Sequence, residues 1–418
     1  MRRFLAIVIL IALFPSPVLF TREGSLQDAP VQQDSVRLGY SVEGKVVDAR
    51  SRKPMASVHV SLPGRHHATV TNADGRFILK SDSPIGEVEF SFVGYRTHRL
   101  TAPKGVFLKV SMTREVAILE EASIIYGNPM EIIRSAVDKI RDTYCTEPQL
   151  LECFYRETLQ KRGRYTYVAE AVARLYKSRF DGFINRDAAA IEKSRVLVSQ
   201  KRRDTLSVKT QGGPTLALSY DVVKNPDIIF NDTDIPLYIY EMKKPEYIGD
   251  RLQFVISFKP GALVDYPLFY GTAFIDRELL TFTRVELSMD MRNKSMVTRT
   301  LLVKKPFSLR FSPEEVSYVV SYSLRDGKTT LEYLRGTMKF SCDWKKRLFK
   351  TKYTAVNELV VTDVRDEAVP IDRKDRFKTR DILGDKASEF LDPAFWEGYN
   401  IIAPSESLEH AIDKLKKQ

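Results

Sequence analysis

The side chains that could serve as catalytic bases are few, and they are unevenly spread along the sequence. The five histidines are His59, His66, His67, His98 and His410, so residues 114–409 contain none. A hydrolase of the triad type needs a histidine beside its nucleophile. Such a triad is therefore excluded from the long central region, unless a distant histidine reaches into it.

The adjacent pair His66 and His67 is the one histidine motif with a spacing that suggests metal binding. Neighbouring residues on an extended chain point to opposite sides, so the two imidazoles cannot easily chelate one metal ion. We therefore expect both side chains to lie in a solvated loop.

The three cysteines Cys145, Cys153 and Cys342 lack the C-x-x-C spacing of a metal site and are too few for a disulfide framework. In an oxidising compartment Cys145 and Cys153 could pair with each other. We favour the simpler interpretation, in which all three are buried small apolar residues.

Paired carboxylates are the catalytic option that the composition leaves open, because the chain contains 54 Asp and Glu residues. Two of them placed across a cleft could serve a glycosidase. No H-E-x-x-H, G-x-S-x-G, G-x-G-x-x-G or P-loop motif occurs. Asp276 is the clearest single candidate, but an Asp between a strand and a turn ordinarily hydrogen-bonds its own turn. We therefore assign no catalytic, cofactor-binding or metal-binding residue and expect no cofactor.

Aromatic residues crowd the proline-rich stretch 236–271, namely Tyr238, Tyr240, Tyr247, Tyr266, Phe269 and Tyr270. Aromatic faces on loops suit sugar rings or lipid chains, because they offer large apolar surfaces with polar edges. They equally suit a plug that closes the end of an open sheet, and we favour the plug.

The N-terminus has the dimensions of a secretory signal peptide. Arg2-Arg3 precede an unbroken apolar run from Phe4 to Phe14, which is short for a membrane span. Residues 1–20 are therefore predicted to be a signal peptide or an uncleaved anchor. We expect an exported protein, in the periplasm or associated with the outer membrane.

The net charge of +11 suggests nucleic acid binding as one function. Two basic clusters could contact phosphates, Lys201-Arg202-Arg203 and Lys345-Lys346-Arg347. An exported protein is separated from the nucleic acids of the cell, so we predict no nucleic acid binding. We expect both clusters to be solvated turns; any target would be an anionic membrane or cell-wall surface.

Residues 40–113 have the pattern of a small antiparallel β-sandwich. Apolar residues alternate with polar ones in short runs, and turn-forming Gly, Pro, Asn and Asp separate the runs. The motifs are Gly44–Asp48, Pro54 with Val58 and Val60, Thr71–Phe77, and Phe92–Tyr95. Their order and spacing resemble the carboxypeptidase-regulatory-like domain, a transthyretin-like sandwich.

That resemblance implies a fold and a setting. Such domains often lie at the N-terminus of TonB-dependent nutrient receptors and of other secreted proteins of one Gram-negative phylum. The family name implies no peptidase activity. Family members usually have Asp where this chain has Asn72, and Asn accepts the same turn conformation.

The remainder of the chain predicts a second, larger body. A linker is expected at 114–127, followed by an antiparallel sheet domain at 128–418 with a helix at 129–144 and a C-terminal helix at 405–416. The helix begins with Asn128-Pro129, a capping residue and a proline suited to the first turn. Hairpins are predicted around Lys161–Arg164, Asp276–Glu278 and Asp326-Gly327.

The segment Phe269–Asp276 and the strand that rises from Thr283 to Leu287 resemble the half-barrel domains of periplasmic lipoprotein carriers. Half-barrel geometry is therefore one option for the large curved sheet. The C-terminus ends with the aromatic run Phe395–Ile402 and the helix at 405–416. A chain that joins the sandwich to this ending resembles cell-envelope proteins with an uncharacterised C-terminal region. The predicted fold class is mainly β with a few helices.

Two functions follow from these observations. The first is a non-enzymatic envelope protein that binds or supports envelope proteins, glycan or lipid. The alternative is a carboxylate-dependent hydrolase that acts on cell-wall or dietary glycan. A nutrient receptor is a weaker third option, because about 300 residues are few for its barrel and the strands lack regular lipid-facing alternation.

Overall fold

The computed structural model describes most of the chain. The described residues are 11–15, 39–115, 127–180, 187–200, 206–210, 212–305, 307–325, 327–344, 349–365, 367–389 and 395–417. They form a small sandwich and a larger sheet, so the mainly β fold class is confirmed.

The first strand, β1 (Ile11–Pro15), precedes the strands of the sandwich. Those strands are β2 (Tyr40–Asp48), β3 (His59–Ser61), β4 (Ala68–Val70), β5 (Arg76–Ser81), β6 (Glu87–Ser91), β7 (His98–Thr101) and β8 (Leu108–Met112). One sheet has the order β5-β2-β8 and the other the order β4-β3-β6-β7. The pair β2 and β8 is parallel and the other pairs are antiparallel.

The core of the sandwich follows the alternation of the sequence. Val46 and Phe77 from one sheet and Val60 and Phe90 from the other are almost fully buried. The two phenyl rings meet edge to face at 5.3 Å between centroids. Burial of these inward residues provides the main stabilisation of the two layers.

The larger body contains the remaining strands and the helices. Its strands are β9 (Gln149–Lys161), β10 (Arg164–Lys177), β11 (Ala188–Val198), β12 (Leu206–Thr210), β13 (Tyr238–Met242), β14 (Glu246–Ile248), β15 (Arg251–Pro260), β16 (Phe269–Asp276), β17 (Phe282–Met289), β18 (Leu302–Lys304), β19 (Leu309–Arg325), β20 (Lys328–Trp344), β21 (Thr351–Arg365) and β22 (Ser388–Glu389). Its helices are α1 (Pro129–Asp138), α2 (Ile140–Thr143), α3 (Gly213–Leu218), α4 (Lys294–Leu301), α5 (Leu383–Lys386) and α6 (Glu406–Lys416), with 3-10 turns at Pro226–Ile228 and Ile235–Leu237.

The large sheet has the order β13-β15-β16-β17-β19-β20-β21-β9-β10-β11-β22, with β14 added beside β15. Its pairs are antiparallel except the parallel pair β11 and β22. Within the described ranges, the edge strands β13 and β22 do not pair with each other, so the sheet is open.

The hairpin between β9 and β10 turns on Arg162 and Gly163, which have φ values of 51° and 76°. Two successive positive φ angles give the two-residue turn whose twist matches that of paired strands. The predicted hairpin loop at Lys161–Arg164 is confirmed.

The predicted helix at 129–144 is divided by Lys139 into α1 and α2. Asn128 caps the first helix, its Oδ1 accepting a hydrogen bond from the Met130 amide at 3.0 Å. At the C-terminus, the Ser405 hydroxyl accepts a hydrogen bond from the Leu408 amide and caps α6.

Several sequence predictions fall partly or wholly outside the described residues. Of the signal peptide at 1–20, only β1 is described; it pairs with β12 and β18. Most of the linker at 114–127 and both basic clusters, 201–203 and 345–347, lie outside the described ranges. Within those ranges, no helix is long and apolar enough to cross a membrane.

The large sheet is covered on both faces. The odd-numbered residues Leu151, Cys153 and Tyr155 of β9 join the core formed with α1 and residues 212–237, and we call this side the inner face. The even-numbered Phe154 packs with Val70 of the sandwich and with Trp396, and we call this side the outer face.

A further contact joins the sandwich to the large sheet. The sandwich also reaches β14, where the Gly94 amide donates a hydrogen bond of 2.8 Å to the Tyr247 carbonyl. The three cysteines are free thiols. Cys153 and Cys342 are buried as expected, but Cys145 is only partly buried, so the expectation that all three are buried is wrong for Cys145.

Candidate functional site

Two sandwich histidines reach the large sheet, which contains no histidine among residues 114–409. The His59 imidazole lies 3.0 Å from the Glu332 carboxylate of β20. His67 Nδ1 lies 3.6 Å from the Asp363 carboxylate of β21, and its Nε2 lies 3.4 Å from Asp82.

The expectation that both loop histidines are solvated is therefore wrong for His67. His66 is exposed, but His67 is buried because the end of the loop after β3 packs against β21.

Where His67 contacts β21, a row of charged residues lies on the outer face of the large sheet. Glu152 of β9 pairs across the sheet with Asp363 and with Arg174 of β10. Arg365 Nη2 donates a 2.7 Å hydrogen bond to Glu152 Oε2, and Arg174 Nε lies 2.9 Å from the Glu192 carboxylate. We call His67, Asp82, Glu152, Arg174, Glu192, Asp363 and Arg365 the junction cluster.

Glu152 is the member of the junction cluster with the chemistry of a proton donor. Its pKa is raised to about 7: burial is the largest cause, Arg365 opposes it, and the carboxylates of Glu192 and Asp363 add to the rise. A carboxyl group that titrates near neutral pH can act as a general acid if a substrate reaches it. Its side chain is only 11% exposed, so the approach is restricted.

The raised pKa of Glu152 predicts a specific pH dependence of stability. Between its usual pKa of 4.5 and about 7, the native state holds a proton that the unfolded state releases. The free energy of unfolding should therefore fall as pH rises through this window, by about 1.4 kcal/mol per unit at most. Urea midpoints measured across the window should show that Glu152→Gln removes this fall.

The matched control is Glu147→Gln, because the Glu147 side chain is 77% exposed and lies just before the same strand. It should leave the pH profile unchanged. A profile for Glu152→Gln that coincides with that of the native sequence would contradict the assignment.

A second buried carboxylate, Glu170 of β10, holds the C-terminal segment, which we define as residues 395–405. Arg156 Nε and Arg195 Nη2 lie 2.7 and 2.8 Å from its two oxygens, and the Trp396 indole donates to it at 3.2 Å. Burial opposes ionisation, but the two guanidinium groups lower the pKa of Glu170. Arg156 also donates a 2.6 Å hydrogen bond to the Ile402 carbonyl.

The other side of the C-terminal segment is hydrogen-bonded to the sandwich. Thr69 donates to the Ile401 carbonyl at 2.9 Å, and Asn72 Nδ2 donates to the Pro404 carbonyl at 2.8 Å. Asn400 bonds both the amide and the carbonyl of Lys80, at 2.7 and 3.0 Å. The segment therefore lies between the two bodies and bridges them.

This bridge gives a physical reason for Asn72, where the resembling family usually has Asp. Asn72 Oδ1 accepts from the amides of Asp74 and Arg76, as an Asp would. Its Nδ2 is the donor to Pro404, and a carboxylate has no donor.

Asn72→Asp should therefore preserve the turn but weaken the docking of the C-terminal segment. The Pro404 carbonyl would face a carboxylate, and we expect a loss of about 1–3 kcal/mol in the free energy of unfolding. Urea denaturation of the full chain followed by tryptophan fluorescence measures this loss, since Trp396 lies in the segment.

Thr330→Val serves as the control for Asn72→Asp, because its hydroxyl makes a long 3.4 Å contact with Ser323 away from the segment. A midpoint for Asn72→Asp no lower than that of this control would mean that the hydrogen bond to Pro404 contributes nothing.

Buried charges on the inner face are also matched. Lys177 Nζ lies 2.7 Å from Asp221 and 2.9 Å from Asp187, and Tyr322 donates to Asp221 at 2.8 Å. Burial opposes the charge of Lys177, but the two carboxylates raise its pKa. Lys224 Nζ lies 3.5 Å from Asp187, so two buried lysine side chains balance the two carboxylates in the core.

The inner face is occupied by the chain itself. Residues 212–237 contribute Leu218, Tyr220 and Phe230 to the core of the large sheet. Of the aromatics at 236–271, Tyr238 and Phe269 are buried in the same core, while Tyr270 is 41% exposed. This packing agrees with a plug rather than with an open binding platform.

Asp276 has the structural role expected of it. Its Oδ1 accepts hydrogen bonds from the amides of Glu278 and Leu279 in its own turn, and Arg251 also bonds its carboxylate. No group of His, Cys, Asp and Glu side chains among the described residues has the geometry of a metal site.

Sequence reasoning did not single out Glu152 or Asp363. Both sit in apolar strands, in the runs Leu150–Phe154 and Leu359–Val364. A charged residue inside such a run is the signal that could have indicated a buried, functional or paired group.

Comparisons with solved structures give low similarity. A DUF1329 family protein from Desulfovibrio piger is 10% identical, with 58% of this chain and 95% of that chain covered and a TM-score of 0.24. A domain described as an outer membrane lipoprotein-sorting protein, from Vibrio parahaemolyticus, is 10% identical over 59% and 97%, with a TM-score of 0.24. A membrane-associated protein of unknown function from Bacteroides fragilis is 9% identical over 78% and 98%, with a TM-score of 0.14.

These TM-scores are too low to support a shared fold or function. No curated protein matches the chain. A family model described as the CarboxypepD_reg-like domain matches residues 42–124, from the third residue of β2 to beyond the end of β8. Residues 42–124 of this chain are therefore a CarboxypepD_reg-like domain, as the strand and turn motifs of the sequence predicted.

Proposed function

We propose that this chain is an exported, non-enzymatic protein of the cell envelope, with a binding or structural support role in the periplasm or at the outer membrane. The observation that carries the proposal is the C-terminal segment, which fills the space between the CarboxypepD_reg-like domain and the large sheet. A support protein needs its parts held in a fixed relation, and this segment bonds both.

The buried charges support the same interpretation. Glu170 is matched by Arg156 and Arg195, and Lys177 by Asp187 and Asp221. Structural ion-pair networks shift pKa values as catalytic sites do, so these pairs need no substrate to explain them. The export signal of the sequence supports the envelope location, with envelope proteins, glycan or lipid as partners.

Fractionation of the native cells tests the location, and turnover assays test the absence of catalysis. We expect the protein in the periplasmic or outer-membrane fraction and no release of sugars from peptidoglycan or polysaccharide panels. Recovery in the cytoplasm would contradict the envelope location.

Hydrolysis of glycan is the second candidate, favoured by one observation: the pKa of Glu152 lies near 7 beside the carboxylates of Asp363 and Glu192. Turnover by the purified chain that is abolished by Glu152→Gln, and retained by Glu147→Gln, would establish this activity and overturn the first proposal.

A further inference from the structure

One end of the large sheet carries two exposed phenyl rings on neighbouring loops. Phe307 precedes β19 by two residues, and Phe349 precedes β21 by two residues. Both strands pair with β20, through Leu309 with Trp344 and through Thr351 with Cys342. The two loops therefore flank the end of β20, and the strands β19 and β21 that follow them lie about two strand spacings, or 10 Å, apart.

These rings are unusually exposed, at 92% for Phe307 and 75% for Phe349. Single exposed apolar residues are common on protein surfaces. Two large aromatic rings at adjoining loops of one sheet end are a different case, because a water-facing phenyl ring contributes nothing to the core.

Positive charge surrounds the two rings. Lys305, Arg310 and Lys350 are exposed beside them, and Arg162 is exposed on the next hairpin, where its amide donates to the Lys352 carbonyl. We call Arg162, Lys305, Phe307, Arg310, Phe349 and Lys350 the basic end.

The basic end also contains a recess. A surface cavity of about 380 Å³ is lined by Lys305, Phe307, Arg310 and Phe311, with Asp343 as its acidic member. Cationic and aromatic groups around one recess match an anionic group attached to an apolar chain. Strand β1 lies beside it, because β1 pairs with β18, which immediately precedes Lys305.

We propose that the basic end docks onto the surface of an anionic lipid bilayer. The phenyl rings of Phe307 and Phe349 enter the boundary between headgroups and acyl chains, and the Lys and Arg side chains contact lipid phosphates. Aromatic residues set among cations are the pattern of interfacial membrane binding. An anionic glycan would match the charge alone, because it offers no apolar layer to the two rings.

This inference deepens the proposed function, since it names the membrane surface as a partner and rests on the envelope location. The two can fail separately: fractionation tests the location in cells, whereas binding to vesicles tests the surface in vitro.

The test is co-flotation of the purified full chain with vesicles of phosphatidylcholine, with and without phosphatidylglycerol. We expect binding to the anionic vesicles that weakens as salt is added. The triple variant Lys305→Gln, Arg310→Gln, Lys350→Gln should bind roughly 100-fold more weakly. The double variant Phe307→Ser, Phe349→Ser should lose about tenfold or more.

Matched controls lie far from this end. The charge control is the triple variant Arg50→Gln, Lys104→Gln, Lys109→Gln, which removes three positive charges from the exposed surface of the sandwich. The apolar control is the double variant Val106→Ser, Val369→Ser, which removes two exposed apolar side chains. Both controls should bind as the native sequence does. Urea midpoints check that every variant is folded.

A second measurement does not depend on loss of binding. Phe349→Trp should show a blue shift and quenching by brominated lipid when anionic vesicles are added. Equal binding to neutral vesicles, equal losses in the controls, or binding to an anionic polysaccharide but not to vesicles would each overturn the proposal.

Discussion

Replacing Glu170 with Gln is expected to lower the free energy of unfolding by about 3–5 kcal/mol. Glu170 is 1% exposed, and its carboxylate is the counter-charge for both Arg156 and Arg195. A neutral amide leaves two cations on the outer face without their anion. The buried guanidinium of Arg156 also holds the Ile402 carbonyl, so the C-terminal segment should loosen with it.

Urea denaturation of the full chain, followed by the fluorescence of Trp396 and by circular dichroism, measures this effect. The control is Glu315→Gln, whose carboxylate makes a solvent-exposed pair with Lys339 at 2.7 Å. Exposed pairs contribute about 0–1 kcal/mol, so the control should unfold almost as the native chain does. Similar midpoints for the two variants would mean that Glu170 is not the counter-charge that its geometry indicates.

The sandwich and the hairpins could be predicted because their information is local. Strand alternation and the turn at Asn72–Gly75 lie within a few residues of one another, and so does the loop at Arg162-Gly163. The parallel pair β2 and β8 was not predicted, since parallel neighbours far apart in sequence leave no local signal.

The junction cluster could not be predicted for the same reason. His67 and Asp363 are far apart in sequence, and they meet only because the sandwich docks onto the outer face of the large sheet. The docking itself depends on Asn400 and Pro404, in a segment with no periodic pattern. The composition shows that residues 114–409 contain no histidine. It could not show which histidine from elsewhere in the chain contacts the large sheet.

The inner face was a similar case. Residues 212–237 form one short helix and two 3-10 turns. The spacing of their apolar side chains has neither the period of a helix nor that of a strand. Only the assembled sheet shows that Tyr220 and Phe230 belong to its core. The half-barrel resemblance did not indicate which residues cover the inner face, and residues 212–237 cover it.

Gly75→Val is expected to have the other large effect, by destabilising the CarboxypepD_reg-like domain. Gly75 has a φ of 74°, which a β-branched residue strongly disfavours. A Cβ at this position would lie 2.3 Å from the Val46 carbonyl oxygen, so strain and overlap add. Together they should cost about 2–6 kcal/mol, a large share of the stability of a small domain.

The matched control for Gly75→Val is Gly64→Val, because Gly64 has a similar φ of 71° but a Cβ there would meet no atom within 4 Å. It isolates the backbone strain from the overlap, and its loss should be the smaller of the two. Thermal melts followed by circular dichroism should show an early transition for Gly75→Val, with the large sheet unfolding later. Equal melting temperatures for Gly75→Val and the native chain would require another conformation for the Asn72–Gly75 turn. In that case Asn72 could not present its amide to Pro404, and the bridge between the domain and the C-terminal segment would lose its anchor.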